Sequence, residues 1–173
     1  MEKNLVLLGM MGVGKSTLGK IVAEKCKLSF IDIDSDIEKV NKMTINKIFE
    51  KKGEKFFRFE EEKMTLNCLE QKSCIIALGG GAFINEKIRK KVLKHSISIW
   101  LDVSTKQLVK RLQNTKKRPI LKNENIEGKI NEIYVKRKDI YNLANYKIIC
   151  NNLGISEIVK KIINIYESKQ NIS

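Results

Sequence analysis

The chain has few of the residues from which several common kinds of site are built. It contains one histidine and one proline, and aromatic residues make up 6% of its 173 residues. Because no serine or cysteine partner is evident for the single histidine, His95, we expect no catalytic role for it. The four cysteines form no C-x-x-C pair, which argues against a metal knuckle or a disulfide framework and favours buried thiols. They are Cys26, Cys68, Cys74 and Cys150.

Long hydrophobic runs are also missing from the sequence. No apolar run approaches the roughly 20 residues that a helix needs to cross a bilayer. Residues 1–8 lead directly into a strand pattern instead of the charged, apolar and small-residue series of a signal peptide. We therefore expect a cytoplasmic protein with no membrane partner.

The charge is strongly one-sided, with a formal net charge of +14. A basic chain raises the hypothesis of nucleic-acid binding. However, the lysines are spread over nearly every segment and aromatic residues are too few for stacking platforms, so we expect no nucleic-acid partner. Arginine is the scarce cation, and in such a chain it marks places that need a planar, two-pronged donor. The five arginines are Arg58, Arg89, Arg111, Arg118 and Arg137.

The length favours a single domain, 1–173. Short apolar runs predict strands at 4–8, 30–32, 74–77, 97–101 and 146–150. Amphipathic segments predict helices at 15–25, 34–40, 44–51, 56–70, 86–94, 105–111, 128–141 and 156–167. This alternation predicts an α/β fold with a mostly parallel sheet covered on both faces. In such sheets ligands bind at the carboxyl ends of the strands.

The first predicted strand runs into residues 9–16, GMMGVGKS, which match the phosphate-binding pattern G-x-x-x-x-G-K-[ST] and open a helix. The glycines allow successive backbone N–H groups to point toward a phosphate, and the start of the helix adds partial positive charge. Lys15 is then expected to reach the β- and γ-phosphates, and the Ser16 hydroxyl to bind Mg²⁺.

Two acids, Asp32 and Asp34, lie at the end of the second predicted strand and directly after it. Alternation along an extended chain would put both carboxylates on one side, with Ile33 on the other. Asp32 is a candidate for holding Mg²⁺ through water, and Asp34 for accepting the proton of an attacking hydroxyl. The alternative for Asp34 is a purely structural role as the N-cap of the helix that follows.

Three glycines, Gly79, Gly80 and Gly81, follow the third predicted strand in place of the aspartate that ends this strand in many P-loop proteins. Such a glycine run suits a ligand that approaches the backbone closely, although glycine-rich junctions between strand and helix are common. The missing aspartate strengthens the case for Asp32 as the second anchor of the metal.

Two arginines have an ordinary interpretation beside the functional one. Arg58 precedes Glu61 and Glu62 at helical spacing, which by itself is a solvent-facing ion pair. Its aromatic neighbours at 56, 57 and 59 would hold the guanidinium against an apolar wall. Arg137 lies among lysines, where a charged helix face is the default interpretation.

Taken together, these pieces resemble shikimate kinase, from residue 4 to about residue 141. Beyond the P-loop and the two aspartates, the shared motifs are Gly53-Glu54-x-x-Phe57-Arg58-x-x-Glu61, Gly79-Gly80-Gly81, Arg111-Leu112, Arg118-Pro119-Ile120-Leu121 and Arg137-x-x-x-Tyr141. The resemblance implies a fold similar to nucleoside monophosphate kinases, with a five-stranded parallel sheet, a substrate-binding segment at about 33–63 and a lid at about 113–127.

The resemblance also implies roles for single residues. Catalysis would fall to Asp34 as the base, Lys15, and Arg118 on the lid. The substrate would be held by Asp34, Arg58, Gly79, Gly80, Gly81 and Arg137. ATP would be held by Gly12, Val13, Gly14, Lys15, Ser16, Thr17, Arg111 and Arg118, with Ser16 and Asp32 at one Mg²⁺ ion.

The expected reaction is transfer of phosphate from ATP to the 3-hydroxyl of shikimate, a step in the biosynthesis of aromatic amino acids. We expect a monomer whose partners are these two small molecules. The alternative is a related P-loop kinase acting on gluconate or a nucleoside monophosphate.

Overall fold

The computed structural model describes residues 3–113 and 125–170. Within these residues five parallel strands form one sheet in the order β2-β3-β1-β4-β5. The strands are β1 (Asn4–Leu8), β2 (Ser29–Asp32), β3 (Cys74–Ala77), β4 (Ser96–Asp102) and β5 (Tyr146–Ile149). Each lies within a residue or two of its predicted position, and the parallel α/β sheet is confirmed.

Helices connect the strands, as the predicted alternation requires. They are α1 (Lys15–Cys26), α2 (Ile33–Asn41), α3 (Ile45–Cys68), α4 (Glu86–His95), α5 (Thr105–Gln113), α6 (Ile126–Tyr141) and α7 (Ile155–Gln170), with a short 3₁₀ helix at Ala82–Ile84. The two helices predicted at 44–51 and 56–70 run together as α3, but the backbone leaves the helical conformation between them, at Gly53 (φ 80°, ψ 168°). Among the described residues, no helix combines the length and the apolar composition that a bilayer span needs.

The strands in the middle of the sheet are more buried than those at its edges. Every residue of β1 and β3 is buried, whereas the edge strands β2 and β5 are partly exposed. Central strands of a parallel sheet are covered by helices on both faces, which is why they consist of nearly continuous apolar residues. The prediction of buried thiols holds for Cys68, Cys74 and Cys150, while Cys26 is half-buried, and all four are free.

One polar side chain inside this core ties two segments together. Asn4, at the start of β1, is 4% exposed. Its amide nitrogen donates to the carbonyls of Gln71 at 2.6 Å and Leu69 at 3.4 Å, and its Oδ1 accepts from the Cys74 N–H at 3.0 Å. The side chain therefore satisfies backbone groups of the turn that leads into β3.

Replacing Asn4 with alanine should destabilise the fold by about 2–3 kcal/mol, because buried backbone groups lose their partners. Urea unfolding measures this difference. The matched control is Asn164→Ala, at an exposed position of α7, for which a change within about 0.5 kcal/mol is expected. Equal stability of the two variants would contradict the structural role of Asn4.

Candidate active site

The loop after β1 takes its shape from glycines with positive φ. Gly9, Gly12 and Gly14 have φ values of 139°, 79° and 99°. A side chain on Gly9 would also collide with the sheet, because its Cβ would lie 2.6 Å from the carbonyl oxygen of Leu101. Gly14 is the N-cap of α1. The loop thus has the strand, glycines and helix start of a phosphate-binding P-loop.

Lys15 bends back over this loop. Its side chain is largely buried, and Nζ donates to the carbonyl oxygens of Gly9 at 2.9 Å and Met10 at 3.0 Å. The ammonium group is therefore fixed against the P-loop backbone, which is where a phosphate would bind. Ser16 and Thr17 follow in the first turn of α1 and are exposed, so their hydroxyl groups are accessible to a nucleotide.

The two aspartates do not alternate along a strand, and that prediction is wrong. The strand ends at Asp32, which is the N-cap of α2; its Oδ1 accepts from the Ser35 N–H at 3.2 Å. A helix starting at Ile33 turns each residue by about 100° instead of 180°. Asp34 consequently lies in the first turn of the helix and is not its N-cap.

Asp34 nevertheless reaches the glycine loop after β3. A Cβ on Gly79 would collide with Oε1 of Glu61 and would lie 2.6 Å from Oδ1 of Asp34. Two carboxylates from different helices, α2 and α3, therefore meet against one backbone position. Only glycine leaves room for both.

Arg58 lies over the same glycine loop. A Cβ on Gly81 would be 2.6 Å from one of its terminal nitrogens. The guanidinium pairs with Glu61 at 2.7 Å and with Glu54 at 3.3 Å. Its central carbon lies 5.2 Å from the centre of the Phe57 ring, so one aromatic neighbour does form an apolar wall. The group is oriented before any ligand arrives.

Glu61 is the site residue whose role sequence reasoning missed. The alternative interpretation of Arg58 and Glu61 as a solvent-facing ion pair does not hold for the glutamate, because Glu61 is 2% exposed. Burial raises the pKa of its carboxyl group and the nearby Asp34 raises it further, while Arg58 opposes this shift. Its Oε1 is buried and has no hydrogen-bond partner among the described residues. Helical spacing could have indicated that Glu61 is buried, because it lies on the same face of α3 as three other buried residues, Phe57, Thr65 and Cys68.

Arg137 and Tyr141 of α6 also contact the glycine loop. Arg137 donates from a terminal nitrogen to the carbonyl oxygen of Gly80 at 2.9 Å, and the Tyr141 hydroxyl donates to the same oxygen. Gly80 in turn adjoins the P-loop, since a Cβ there would lie 3.4 Å from the Met11 nitrogen and 3.8 Å from the Gly9 carbonyl oxygen. The glycine loop is thus in contact with both the arginine and the phosphate-binding loop.

The remaining predicted nucleotide residues divide into two groups. Arg111 lies in α5 and donates to the carbonyl oxygen of Val13 at 3.2 Å, which ties α5 to the P-loop. Arg118 and most of the lid predicted at about 113–127 lie outside the described residues.

The residues present fit a divalent cation bound with ATP. A serine hydroxyl and carboxylate oxygens are the hard ligands that such an ion takes beside phosphates. Ser16 is exposed at the start of α1 and Asp32 ends β2. The capping bond of Asp32 is accepted by Oδ1 alone, so the carboxylate keeps acceptor capacity for the ion or its water.

The fold and this site define a P-loop kinase of the nucleoside monophosphate kinase-like type, in which Arg58 and Arg137 lie against the glycine loop next to the phosphate-binding loop. A family model described as shikimate kinase matches residues 11–167, which is most of the chain. The chain belongs to the shikimate kinase family.

Individual relatives agree with the family match. A shikimate kinase of Sulfurihydrogenibium sp. is 42% identical over 161 residues, covering 93% of this chain and 96% of that protein. The solved shikimate kinase of Acinetobacter baumannii in complex with shikimate has a TM-score of 0.91 at 32% identity, covering 98% of this chain and 95% of the other. A gluconokinase of Sinorhizobium meliloti shares the fold, with a TM-score of 0.62, 16% identity, and 98% and 95% coverage.

Proposed function

We propose that the chain transfers the γ-phosphoryl group of ATP to the 3-hydroxyl of shikimate. One observation carries this proposal: Asp34, Arg58 and Arg137 converge on the glycine loop at 79–81, and that loop touches the P-loop. An anion held by the two arginines would lie beside the phosphates of a nucleotide. Similarity to the shikimate-bound Acinetobacter enzyme supports the same substrate here.

Substrate binding rests on the two guanidinium groups. A carboxylate is bound best by planar donor pairs, which fix its orientation as well as its position. Arg58 is held by Glu61, and Arg137 by the Gly80 carbonyl oxygen, so both donors are preorganised. In the proposed arrangement the Gly80 N–H adds a bond to a ring hydroxyl.

Phosphoryl transfer then needs alignment and charge neutralisation more than covalent help. Asp34 orients the 3-hydroxyl and accepts its proton as the hydroxyl oxygen attacks the γ-phosphorus. Lys15 and the P-loop N–H groups hold the β- and γ-phosphates, Arg118 neutralises the transferring group, and Arg111 packs on the adenine. Ser16, and Asp32 through water, would hold Mg²⁺, which when bound would offset the charge of the phosphates. The reaction takes place in the cytoplasm, in a monomer that binds no nucleic acid.

A coupled assay for ADP tests the proposed function. Purified protein with ATP, Mg²⁺ and shikimate should release ADP well above its background rate, and chelation of the metal should stop the release. Gluconate and nucleoside monophosphates, tested in parallel, should give only the background rate. Turnover with one of these compounds and none with shikimate would contradict the proposal.

Gly79→Ala tests the convergence of the two carboxylates. The added methyl would displace Glu61, Asp34 or both, and misplacement of reacting groups by about 1 Å costs about 10²-fold in rate. We expect kcat/KM for shikimate to fall by about that factor. The control is Gly154→Ala, at an exposed glycine where a Cβ would lie 3.4 Å from a flexible glutamate side chain. Equal activity of both variants would contradict the described geometry.

A further inference from the structure

A polar cluster outside the proposed site lies at the carboxyl end of β4. Asp102 is its centre, with a side chain 13% exposed. One carboxylate oxygen accepts from the Tyr134 hydroxyl of α6 at 3.1 Å, and the other lies 2.9 Å from Nζ of Lys147 in β5. We call Asp102, Tyr134 and Lys147 the Asp102 cluster. It joins a helix and an edge strand through one nearly buried carboxylate.

The cluster is ordered by further contacts. Nζ of Lys147 lies 4.0 Å from the centre of the Trp100 ring, and that ring lies 5.9 Å from the ring of Tyr141. Burial, with a smaller effect of Asp102, raises the pKa of Tyr134 to about 12. The phenol therefore keeps its proton and donates over the whole neutral range.

Tyr134 shares a helix face with the residues that hold the glycine loop. Residues three, four and seven apart lie on one side of a helix, so Tyr134, Arg137 and Tyr141 face the same way. Tyr134 contacts the end of β4, whereas Arg137 and Tyr141 both contact Gly80 after β3. Polar contacts of α6 thus reach the ends of two strands, and Arg137 belongs to the contact with Gly80, one helical turn after Tyr134.

We propose that the Asp102 cluster positions α6, so that Arg137 presents its guanidinium to the substrate anion. Tyr134 is then a positioning residue that acts through Arg137. The inference rests on the proposed function, in which Arg137 binds the carboxylate. A two-pronged contact is directional, so a small shift of α6 after loss of the Tyr134 contact would weaken it. Tyr134 and Lys147 are not among the residues proposed to hold the nucleotide, so nucleotide binding should be unaffected.

Steady-state kinetics of Tyr134→Phe test the proposal. We expect KM for shikimate to rise about tenfold, the effect of a coupled contact, while kcat and KM for ATP stay within about twofold of the wild type. Lys136→Gln is the matched control, because Lys136 is on the same helix and forms an exposed ion pair with Glu132. It should keep the wild-type KM.

A double-mutant cycle identifies the route of the effect. In an Arg137→Ala background, Tyr134→Phe should change KM for shikimate no further, because the contact that it positions is already gone. If Tyr134→Phe raised KM for shikimate tenfold in both the wild-type and the Arg137→Ala backgrounds, the inference would be overturned. It would also be overturned if Tyr134→Phe lowered the melting temperature but left KM for shikimate unchanged.

A second variant gives an independent measurement if Tyr134→Phe folds poorly. Lys147→Gln leaves Tyr134 in place but loosens Asp102, and we expect a rise in KM for shikimate of about threefold. An unchanged KM in that variant would overturn the inference. If the wild type did not phosphorylate shikimate, both the proposed function and the inference would be overturned. If the wild type were active and the Tyr134 and Lys147 variants had the same KM for shikimate, only the inference would be overturned.

Discussion

Asp34→Asn should lower kcat for shikimate phosphorylation by about 10²- to 10⁴-fold, the contribution of a positioned general base. Asparagine has nearly the same shape and can still contact the hydroxyl, but it cannot accept its proton. KM for shikimate should therefore change much less than kcat. Steady-state kinetics with varied shikimate at saturating ATP separate the two parameters.

Asp36→Asn is the matched control for this prediction. Asp36 lies two residues further along α2 and pairs with the exposed Lys39 at 2.7 Å. The same change of charge there should leave kcat within about twofold of the wild type, since exposed ion pairs of this kind contribute little. Full activity of Asp34→Asn would show that the base has been misassigned.

Arg58→Ala should have two separable effects, one on binding and one on stability. The substrate carboxylate loses one of its two guanidinium partners, so KM for shikimate should rise about 10²-fold, at the upper end for a charge-assisted contact. Glu61 also loses its partner at 2.7 Å while remaining buried. An unpaired buried carboxylate should cost about 1–3 kcal/mol of stability, less than in a fully buried pair because the Arg58 side chain is 37% exposed.

The stability effect has a pH dependence with a definite sign. The pKa of Glu61 is raised in the folded chain, chiefly by burial, and loss of Arg58 would raise it further. Between the ordinary carboxyl value and this raised value the folded state binds more protons than the unfolded state, so stability falls as pH rises. Thermal melts of Arg58→Ala should therefore come closer to the wild type at pH 5 than at pH 7.

A double variant distinguishes the two effects of Arg58. Arg58→Ala with Glu61→Gln removes the unpaired charge, so stability at neutral pH should recover in part. KM for shikimate should stay high, because the guanidinium is still absent. If the double variant regained substrate affinity, Arg58 would be acting only by neutralising Glu61, contrary to the proposed contact with substrate.

Local patterns predicted most of the fold. All five strands, and the interruption between the helices predicted at 44–51 and 56–70, follow from the local pattern of apolar residues, because this pattern acts over a few residues. The start of α2 was predicted one residue late, at 34 instead of Ile33, because Asp32 is the N-cap of that helix. The alternation argument for Asp32 and Asp34 failed for this reason.

The site was only partly readable from the sequence. The P-loop is a contiguous motif, so the positive φ values of its glycines could be expected from the pattern G-x-x-x-x-G-K-[ST]. The contacts of Gly80 with Arg137 and Tyr141 join residues 57 and 61 positions apart, and no local periodicity encodes such contacts. The burial of Glu61 likewise depends on how α3 packs against α2 and the glycine loop.

The structure of the protein crystallised with shikimate and ADP tests the central claim most directly. We predict the shikimate carboxylate against Arg58 and Arg137, its 3-hydroxyl within hydrogen-bond distance of Asp34, and the ADP phosphates in the loop at 9–16. Shikimate bound elsewhere on the molecule, or in this pocket with its carboxylate turned toward Asp34, would contradict the account.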